Sequence, residues 1–268
     1  MKDSKQRLDC LLVQKGLFTS REKAKAEIMT GSVYIDNVMI DKPGTIVNVN
    51  SSVFVKQKSI PYVSRGGLKL EKALKVFDVD MKNKVAIDIG ASTGGFTDCL
   101  LKNGAKRVYA VDVGYGQLDV KLRNDERVIV LERTNARYLT LDDIGETADV
   151  ITVDLSFISL SKVFPVFSTL LKEDGDLITL IKPQFEVGKG EVGKKGVVKD
   201  KALHEKTINN IVLCARQNNF FIQALDFSPI TGPKGNIEYL AWFKNSPKGK
   251  RPIDVAAVVK KSHDKLIK

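Results

Sequence analysis

The sequence predicts an α/β protein in two parts: a doubly wound, mostly parallel sheet ending in a terminal antiparallel strand, preceded by a small α+β unit. Three observations carry that reading. From residue 68 onward, short apolar runs alternate with amphipathic stretches, as parallel βαβ units require. The last two apolar runs are close together, with Pro229, Gly232 and Pro233 between them, which suits an antiparallel return. Ahead of these, the first sixty residues have a pattern of their own, two short helices followed by several short strands.

In that first unit Leu8, Leu11 and Leu12 fall at helical spacing, and Gly16 supplies the stop. Thr19 with Glu22 has capping-box spacing, so a second helix is expected from Ser20, carrying Ala24, Glu27 and Ile28 and ending at Gly31. Val33-Tyr34-Ile35, Asp36-Asn37 and Val38-Met39-Ile40 read as strand, turn and strand. Pro43-Gly44 turns the chain again, and Val53-Phe54-Val55 offers one more strand. Arg7, Lys15, Arg21, Lys23 and Lys25 gather on the helical part.

Residues 59–67 read as a linker, in which Pro61 extends Ile60 and Gly66-Gly67 supplies a hinge. A helix is expected over 68–77, with Leu70, Ala73, Leu74 and Phe77 on one face. Strands are expected at 85–89, 108–111, 128–131, 150–153 and 177–181, then at 220–227 and 239–243. The chain thus divides into a first domain at 1–58, the linker, a main domain at 68–246 and a basic tail at 247–268.

With 43 Lys and Arg against 32 Asp and Glu, the net charge is +11. Such an excess points to a polyanionic partner, either nucleic acid or an anionic membrane surface. Cys10, Cys99 and Cys214 are odd in number, far apart and without zinc spacing. They argue against a disulfide framework, imply no metal and fit a reducing cytoplasm. The N-terminus has no apolar signal core, and no apolar run approaches the roughly 20 residues that span a bilayer, so no membrane is expected.

The most informative segment is Asp88-Ile89-Gly90-Ala91-Ser92-Thr93-Gly94-Gly95-Phe96, which follows an expected strand and opens a helix. A triphosphate loop would place a lysine after the last glycine, but Phe96-Thr97 stands there. A dinucleotide loop prefers G-x-G-x-x-G, and Ala91-Ser92 breaks that spacing. What remains is close backbone approach to an uncharged ligand part, headed by an acid. S-adenosylmethionine has no phosphate and carries a cationic sulfonium and ammonium, so Asp88 suits it, with Gly90, Ser92, Thr93, Gly94, Gly95 and Phe96 as loop contacts. Asp112 ends the next strand, where an acid accepts hydrogen bonds from ribose hydroxyls. Asn135 reads either as an adenine contact or as a helix cap.

Asp154 ends the fourth strand of the main domain and Lys182 the fifth, the positions at which open α/β sheets bind ligands. A lysine ending an apolar strand needs a partner, since burying its ammonium alone is costly. Asp154 is the obvious one, either for catalysis or as a structural ion pair.

Two resemblances join these parts. Arg7-Leu8-Asp9, Gly16-Leu17, Ser20-Arg21-x-x-Ala24 and Ile28-x-x-Gly31-x-Val33 resemble the S4 RNA-binding domain over about the first fifty-five residues. That likeness implies RNA contacts by Arg7, Ser20, Arg21 and Lys25. Along nearly the whole chain, segments such as Val63-Ser64-Arg65-Gly66-Gly67, the 88–97 loop, Val113-Gly114-Tyr115-Gly116-Gln117-Leu118 and Asp154-Leu155-Ser156-Phe157-Ile158-Ser159-Leu160 look like the TlyA/hemolysin A family. Lys182-Pro183-Gln184-Phe185-Glu186 and Gly235-Asn236-Ile237-Glu238-Tyr239 do so too. The family is similar to FtsJ-type ribose 2′-O-methyltransferases, which implies a Rossmann-like methyltransferase fold, S-adenosylmethionine as cofactor and ribosomal RNA or ribosomal subunits as partner. It further implies cytidine 2′-hydroxyls as acceptors, Arg65 as an RNA contact and a catalytic tetrad carried over as Lys69, Asp154, Lys182 and Glu238.

Lys182 is the expected contact to the acceptor oxygen, either as a neutral base or as a cation facing an alkoxide. The lysine-rich loop 187–201, with Lys189, Lys194, Lys195, Lys199 and Lys201, reads as an RNA-facing or a plain surface loop, and the tail with Lys248, Lys250 and Arg251 as phosphate-binding or frayed. His204 and His263 are given no function. Three other readings compete: a membrane-acting cytolysin, a non-catalytic RNA- or ribosome-binding protein, and an S4-bearing enzyme of another chemistry such as pseudouridine synthesis. The missing signal or spanning segment opposes the first, and the intact glycine loop opposes the other two.

Overall fold

A computed structural model describes residues 5–55, 60–188, 190–193, 195–247 and 252–267. Lys189, Lys194, Lys248, Lys250 and Arg251, named above for RNA contact, lie outside the described residues. The chain forms two compact units, Met1–Ile60 and Pro61–Lys268.

In the first unit β1 (Lys5–Arg7) leads into α1 (Leu8–Gln14) and α2 (Arg21–Met29), followed by β2 (Val33–Ile35), β3 (Val38–Ile40), β4 (Ile46–Asn48) and β5 (Val53–Val55). Strands β3, β2 and β5 form one antiparallel sheet, and β1 pairs antiparallel with β4. Leu8, Leu11, Leu12, Ala24, Ile28, Val33, Ile35 and Val47 make the core. The β2–β3 turn is tight because both central residues, Asp36 and Asn37, have positive φ (48° and 68°), the geometry that matches strand twist. Ser20, not Thr19, caps α2, accepting the Lys23 amide at 3.3 Å. Strands β1 and β4 escape the sequence reading: Lys5-Gln6-Arg7 is wholly polar, and Ile46-Val47-Asn48 lacks the three successive apolar residues that mark β2, β3 and β5.

The second unit is built on a seven-stranded sheet. In chain order its elements are α3 (Gly66–Phe77), β6 (Val85–Ile89), α4 (Gly95–Lys102), β7 (Arg107–Val111), α5 (Val120–Arg123), β8 (Val128–Leu131), α6 (Leu141–Ile144) and β9 (Ala148–Val153). Then come α7 (Phe164–Leu170), β10 (Leu171–Ile181), α8 (Pro183–Glu186), α9 (Lys201–Gln217), β11 (Phe221–Phe227), β12 (Tyr239–Lys244) and α10 (Val255–Leu266). The spatial order is β11-β12-β10-β9-β6-β7-β8; β10 through β8 run parallel, and β12 is antiparallel to both of its neighbours.

Both faces of the sheet are covered, which is why its central strands read as unbroken apolar runs. Alternate residues serve opposite cores. Ile87, Ile89, Ile151 and Val153 meet Phe164, Phe167, Ile208 and Val259 on one side. Ala86, Val108, Val150 and Ile178 meet Leu70, Leu74, Phe96 and Leu100 of α3 and α4 on the other.

Two expectations give way here. The segment read as a linker belongs from Pro61 onward to the second unit, and Gly66-Gly67 begins α3 rather than forming a hinge. A Cβ on Gly67 would stand 2.3 Å from the Tyr62 ring, so this glycine is a close-packing site. Tyr62 Oη donates to Glu71, and the Val63 amide donates to Asp98 Oδ2 at 2.9 Å, fixing the strap to α3 and α4. Nor is the tail frayed throughout: α10 packs on α9 and β11, with Val259 fully buried. Val259→Asp would bury an unpaired carboxylate there, and a stability loss of roughly 2–4 kcal/mol is expected. Thermal denaturation checks it; an unchanged melting temperature would mean that α10 does not dock.

Candidate active site

The chain leaves β6 toward β7 and β8, then crosses back to β9 on the other side of β6. The carboxyl ends of β6 and β9 therefore flank a switch point, where a doubly wound sheet opens a crevice. Gly90 follows β6 and Asp154 follows β9. A Cβ on Gly90, whose φ is +86°, would stand 2.6 Å from the Asp154 carbonyl oxygen, so only glycine lets the two strand ends come this close.

Four ionisable side chains converge at this point. Lys69 comes from α3, Asp154 and Lys182 from the ends of β9 and β10, and Glu238 from the residue before β12. Lys69 Nζ lies 2.6 Å from Glu238 Oε2 and 3.6 Å from Asp154 Oδ2. Lys182 Nζ lies 2.5 Å from Asp154 Oδ1 and donates to Ser156 Oγ at 3.0 Å. Lys69, Lys182 and Glu238 are only 8%, 7% and 1% exposed, so each charge depends on its partners. Burial pulls the Lys69 ammonium down, but Asp154 and Glu238 outweigh it and hold the group above the ordinary lysine value. Lys69 is thus a fixed cation at the centre of the set.

A cavity of about 770 Å³ opens over this quartet, within the range of roughly 300–1,000 Å³ typical of small-molecule sites. The 90–96 loop lines one side, Phe157 and Phe185 another, and the exposed Arg65 and Lys234 stand among its lining residues. The loop offers hydroxyls and backbone but no cation, so it suits a ligand part without phosphate. The two lysines and two carboxylates at the floor balance one another, and the remaining cations of the lining, Arg65 and Lys234, are exposed to solvent. Those features fit S-adenosylmethionine.

A family model for FtsJ-like methyltransferases matches residues 62–245, and one for the S4 domain matches residues 6–53. The chain belongs to the FtsJ-like methyltransferase family. It is 52% identical over 241 residues to YqxC of Bacillus subtilis, covering 90% of this chain and 86% of that protein. It is 45% identical over 239 residues to "16S/23S rRNA (cytidine-2'-O)-methyltransferase TlyA" of Mycobacterium tuberculosis, covering 89% of each. A solved structure from Streptococcus thermophilus, described as a candidate hemolysin, superposes with a TM-score of 0.77 at 42% identity, over 98% of this chain and 97% of that one. The TlyA/hemolysin A resemblance is thereby shown. Among the described residues no helix is long and apolar enough to cross a membrane.

Within this FtsJ-like fold, Gly90, Ser92, Thr93, Gly95 and Phe96 are among the residues that line the cavity; Asp88, Gly94, Asp112 and Asn135, also named for the cofactor, are not. Asp88 is fully buried beneath the loop, accepting from Thr97 Oγ1 at 2.7 Å and Thr152 Oγ1 at 3.2 Å; it anchors α4 rather than facing a sulfonium. Gly94 (φ +94°) packs away from the cavity, where a Cβ would stand 2.2 Å from Leu122 Cδ1. Asp112, half-buried, accepts the amides of Ser92 (2.8 Å) and Gly114 (2.6 Å) and so shapes the loop, with acceptor capacity left on both oxygens. Asn135 takes the capping alternative, accepting the Arg137 amide at 3.1 Å.

In the first unit Arg7 and Arg21 both pair with the buried Asp9, at 3.1 and 3.0 Å, and remain about half exposed. The hydrogen bond from Arg7, with that from Arg21 behind it, outweighs burial and holds the Asp9 carboxyl well below the usual range. Lys25 is half-buried nearby in sequence, while the Ser20 hydroxyl is committed to its cap.

The sequence reading missed Ser156 as a partner of Lys182, and Phe157. Phe157 is 90% exposed, has φ of +66° and sits 5.0 Å from the Phe185 ring, a strained aromatic held out at the cavity. The available signal was in the motifs that follow β9 and β10, each of which places a phenylalanine three residues after its ionisable residue, Asp154 or Lys182.

Burial pushes the Asp88 carboxyl up to about 7, against the two threonine hydroxyls. Because the folded value exceeds the unfolded one, its contribution is fully present below about pH 4 and is lost as pH rises through about 7. Relative to Asp88→Asn, which cannot titrate, the parent should therefore lose up to roughly 4 kcal/mol across that window. Denaturant titrations of both proteins at pH 5 and pH 8 check this; a pH-independent difference would disprove the shift.

Proposed function

We propose that this chain is an S-adenosylmethionine-dependent ribosomal RNA methyltransferase that methylates a ribose 2′-hydroxyl, with cytidine as the nucleotide, acting in the cytoplasm. The observation that carries this reading is the quartet Lys69, Asp154, Lys182 and Glu238, three of them buried and Asp154 partly so, lining one cavity together with a cation-free glycine loop. The name of the M. tuberculosis relative supports the choice of acceptor.

Gly90, Ser92, Thr93, Gly95 and Phe96 would hold the cofactor, and Asp112 would keep the loop in shape from outside the cavity. When bound, S-adenosylmethionine supplies an electrophilic methyl group. The chain's own residues then have to place an acceptor oxygen in line and take its proton. Lys182 Nζ is the amine fixed by both a carboxylate and a hydroxyl, so it is the group to contact the acceptor oxygen. As the hydroxyl proton passes to Nζ, one already on Nζ passes to Asp154 Oδ1, 2.5 Å away. Lys69, held as a cation, pairs with Glu238 and keeps Asp154 oriented from its other oxygen, ready to return the proton. Phe157 and Phe185 offer a stacking surface for the base of the acceptor nucleotide. In the first unit Arg7, Arg21 and Lys25, and in the second Arg65, supply phosphate contacts.

Lys182→Ala is expected to cut methyl transfer by about 10² or more while leaving S-adenosylmethionine affinity within a few-fold. Calorimetry and tritium transfer to ribosomal subunits read the two effects. Mass-spectrometric mapping of ribosomal RNA from cells with and without the gene tests the product: a cytidine 2′-O-methyl mark should disappear with it. A lost base methylation in its place, with ribose marks intact, rejects the acceptor assignment.

A further inference from the structure

Behind the quartet lies a second buried polar cluster, for which methyl transfer as derived above has no use. His204 of α9 and Tyr239 of β12 are fully buried, as is Ser262 of α10, and His263 beside it is 6% exposed. His204 Nε2 lies 3.0 Å from the Val198 carbonyl oxygen, which can only accept, so Nε2 carries the proton. Nδ1 is then the acceptor, with Tyr239 Oη at 2.7 Å and His263 Nε2 at 3.1 Å. Burial pulls the imidazole down to about 4, consistent with this neutral tautomer.

The other side of Val198 is held as well. Its amide donates to Asn236 Oδ1 at 3.0 Å, and Asn236 Nδ2 donates to the Gly196 carbonyl at 2.9 Å. Gly196 and Asn236 line the catalytic cavity, and Tyr239 directly follows Glu238. One imidazole therefore joins the backbone of a cavity-wall segment to the strand that begins beside a member of the quartet.

We infer that His204 is a positioning residue for catalysis, fixing the Gly196–Val198 wall and the start of β12 relative to each other so that the acceptor meets Lys182 in line. It touches neither substrate nor cofactor. The wall it holds is distinct from the glycine loop, so its loss should disturb turnover and leave cofactor binding alone. This inference rests on the methyl-transfer reading.

The test compares His204→Phe, which keeps an aromatic ring but no hydrogen bond, with His204→Gln, which can donate to Val198 and accept from Tyr239. In the full chain His204→Phe should lower kcat about tenfold, with S-adenosylmethionine affinity unchanged within about twofold. His204→Gln should restore kcat to within about threefold of the parent. Hydrogen exchange should show the Val198 amide losing protection in the Phe variant and keeping it in the Gln variant. Should His204→Phe fail to fold, Tyr239→Phe removes only the hydroxyl and should give the same fall in kcat. Parental kcat in the folded Phe variant or in Tyr239→Phe, or equal impairment of the Phe and Gln variants, overturns the assignment. An inactive parent sinks the methyl-transfer reading instead, and the exchange comparison still decides whether His204 fixes the wall.

Discussion

Two lysines and two carboxylates, three of them buried and Asp154 partly so, form at the end of a parallel sheet the constraint on which the rest of the second unit depends. A lone buried charge would cost several kcal/mol, and removing any one of four would leave such a charge behind. The set is tolerable only complete, with Lys69 between Glu238 and Asp154 and with Lys182 on the far oxygen of Asp154. Completeness requires that α3, β9, β10 and the approach to β12 end at one point, although Lys69 and Glu238 are 169 residues apart in sequence. The antiparallel β12 gives the solution its geometry. Running against β10, it begins where β10 ends, and so brings Glu238 to the same edge as Lys182.

The opposite wall is shaped without net charge. Gly90 meets the Asp154 carbonyl, and Gly95 meets the start of α3, where a Cβ would stand 2.3 Å from Ser64 Oγ and 2.9 Å from the Gly67 amide. The glycines thus serve the contact between protein elements as much as any contact with a ligand. The acids near them work inward: Asp88 ties β6 to α4 and β9, and Asp112 ties the loop to β7. With Asp88 buried and Asp112 engaged by the loop amides, the loop lines the cavity with backbone and small hydroxyls, a surface suited to recognising shape rather than charge.

Much of this was legible in the sequence because burial leaves a periodic trace. The five parallel strands appear as apolar runs since both faces are covered, and Lys182 stands out because it interrupts that pattern at a strand end. The quartet itself was legible only through family resemblance: Lys69 on an amphipathic helix looks like any solvated lysine until its partners are in place. Asp88 was misread because an acid before a glycine loop has the same spacing whether it points into the cavity or under the helix. Gly66-Gly67 resembled a hinge for a related reason, since sequence records permissive backbone but not the Tyr62 ring that fills the space beside it. His204 and His263 were silent as isolated residues, their meaning residing in tertiary hydrogen bonds between α9 and α10.

The distribution of charge completes the division of labour. The net charge of +11 is not concentrated at the chemistry, where the four buried groups cancel. It resides on side chains that remain at the surface, such as Arg7 and Arg21, half exposed on either side of a buried Asp9 that neutralises one charge of the pair and orients both. On the proposed function, long-range attraction of a polyanion and local handling of a proton would therefore draw on different residues. The first is weakened by salt over a Debye length of about 8–10 Å, while the second is shielded from salt by burial. Within the quartet the carboxylates neutralise both lysines, so the cations left on the cavity lining to meet a phosphate are the exposed Arg65 and Lys234.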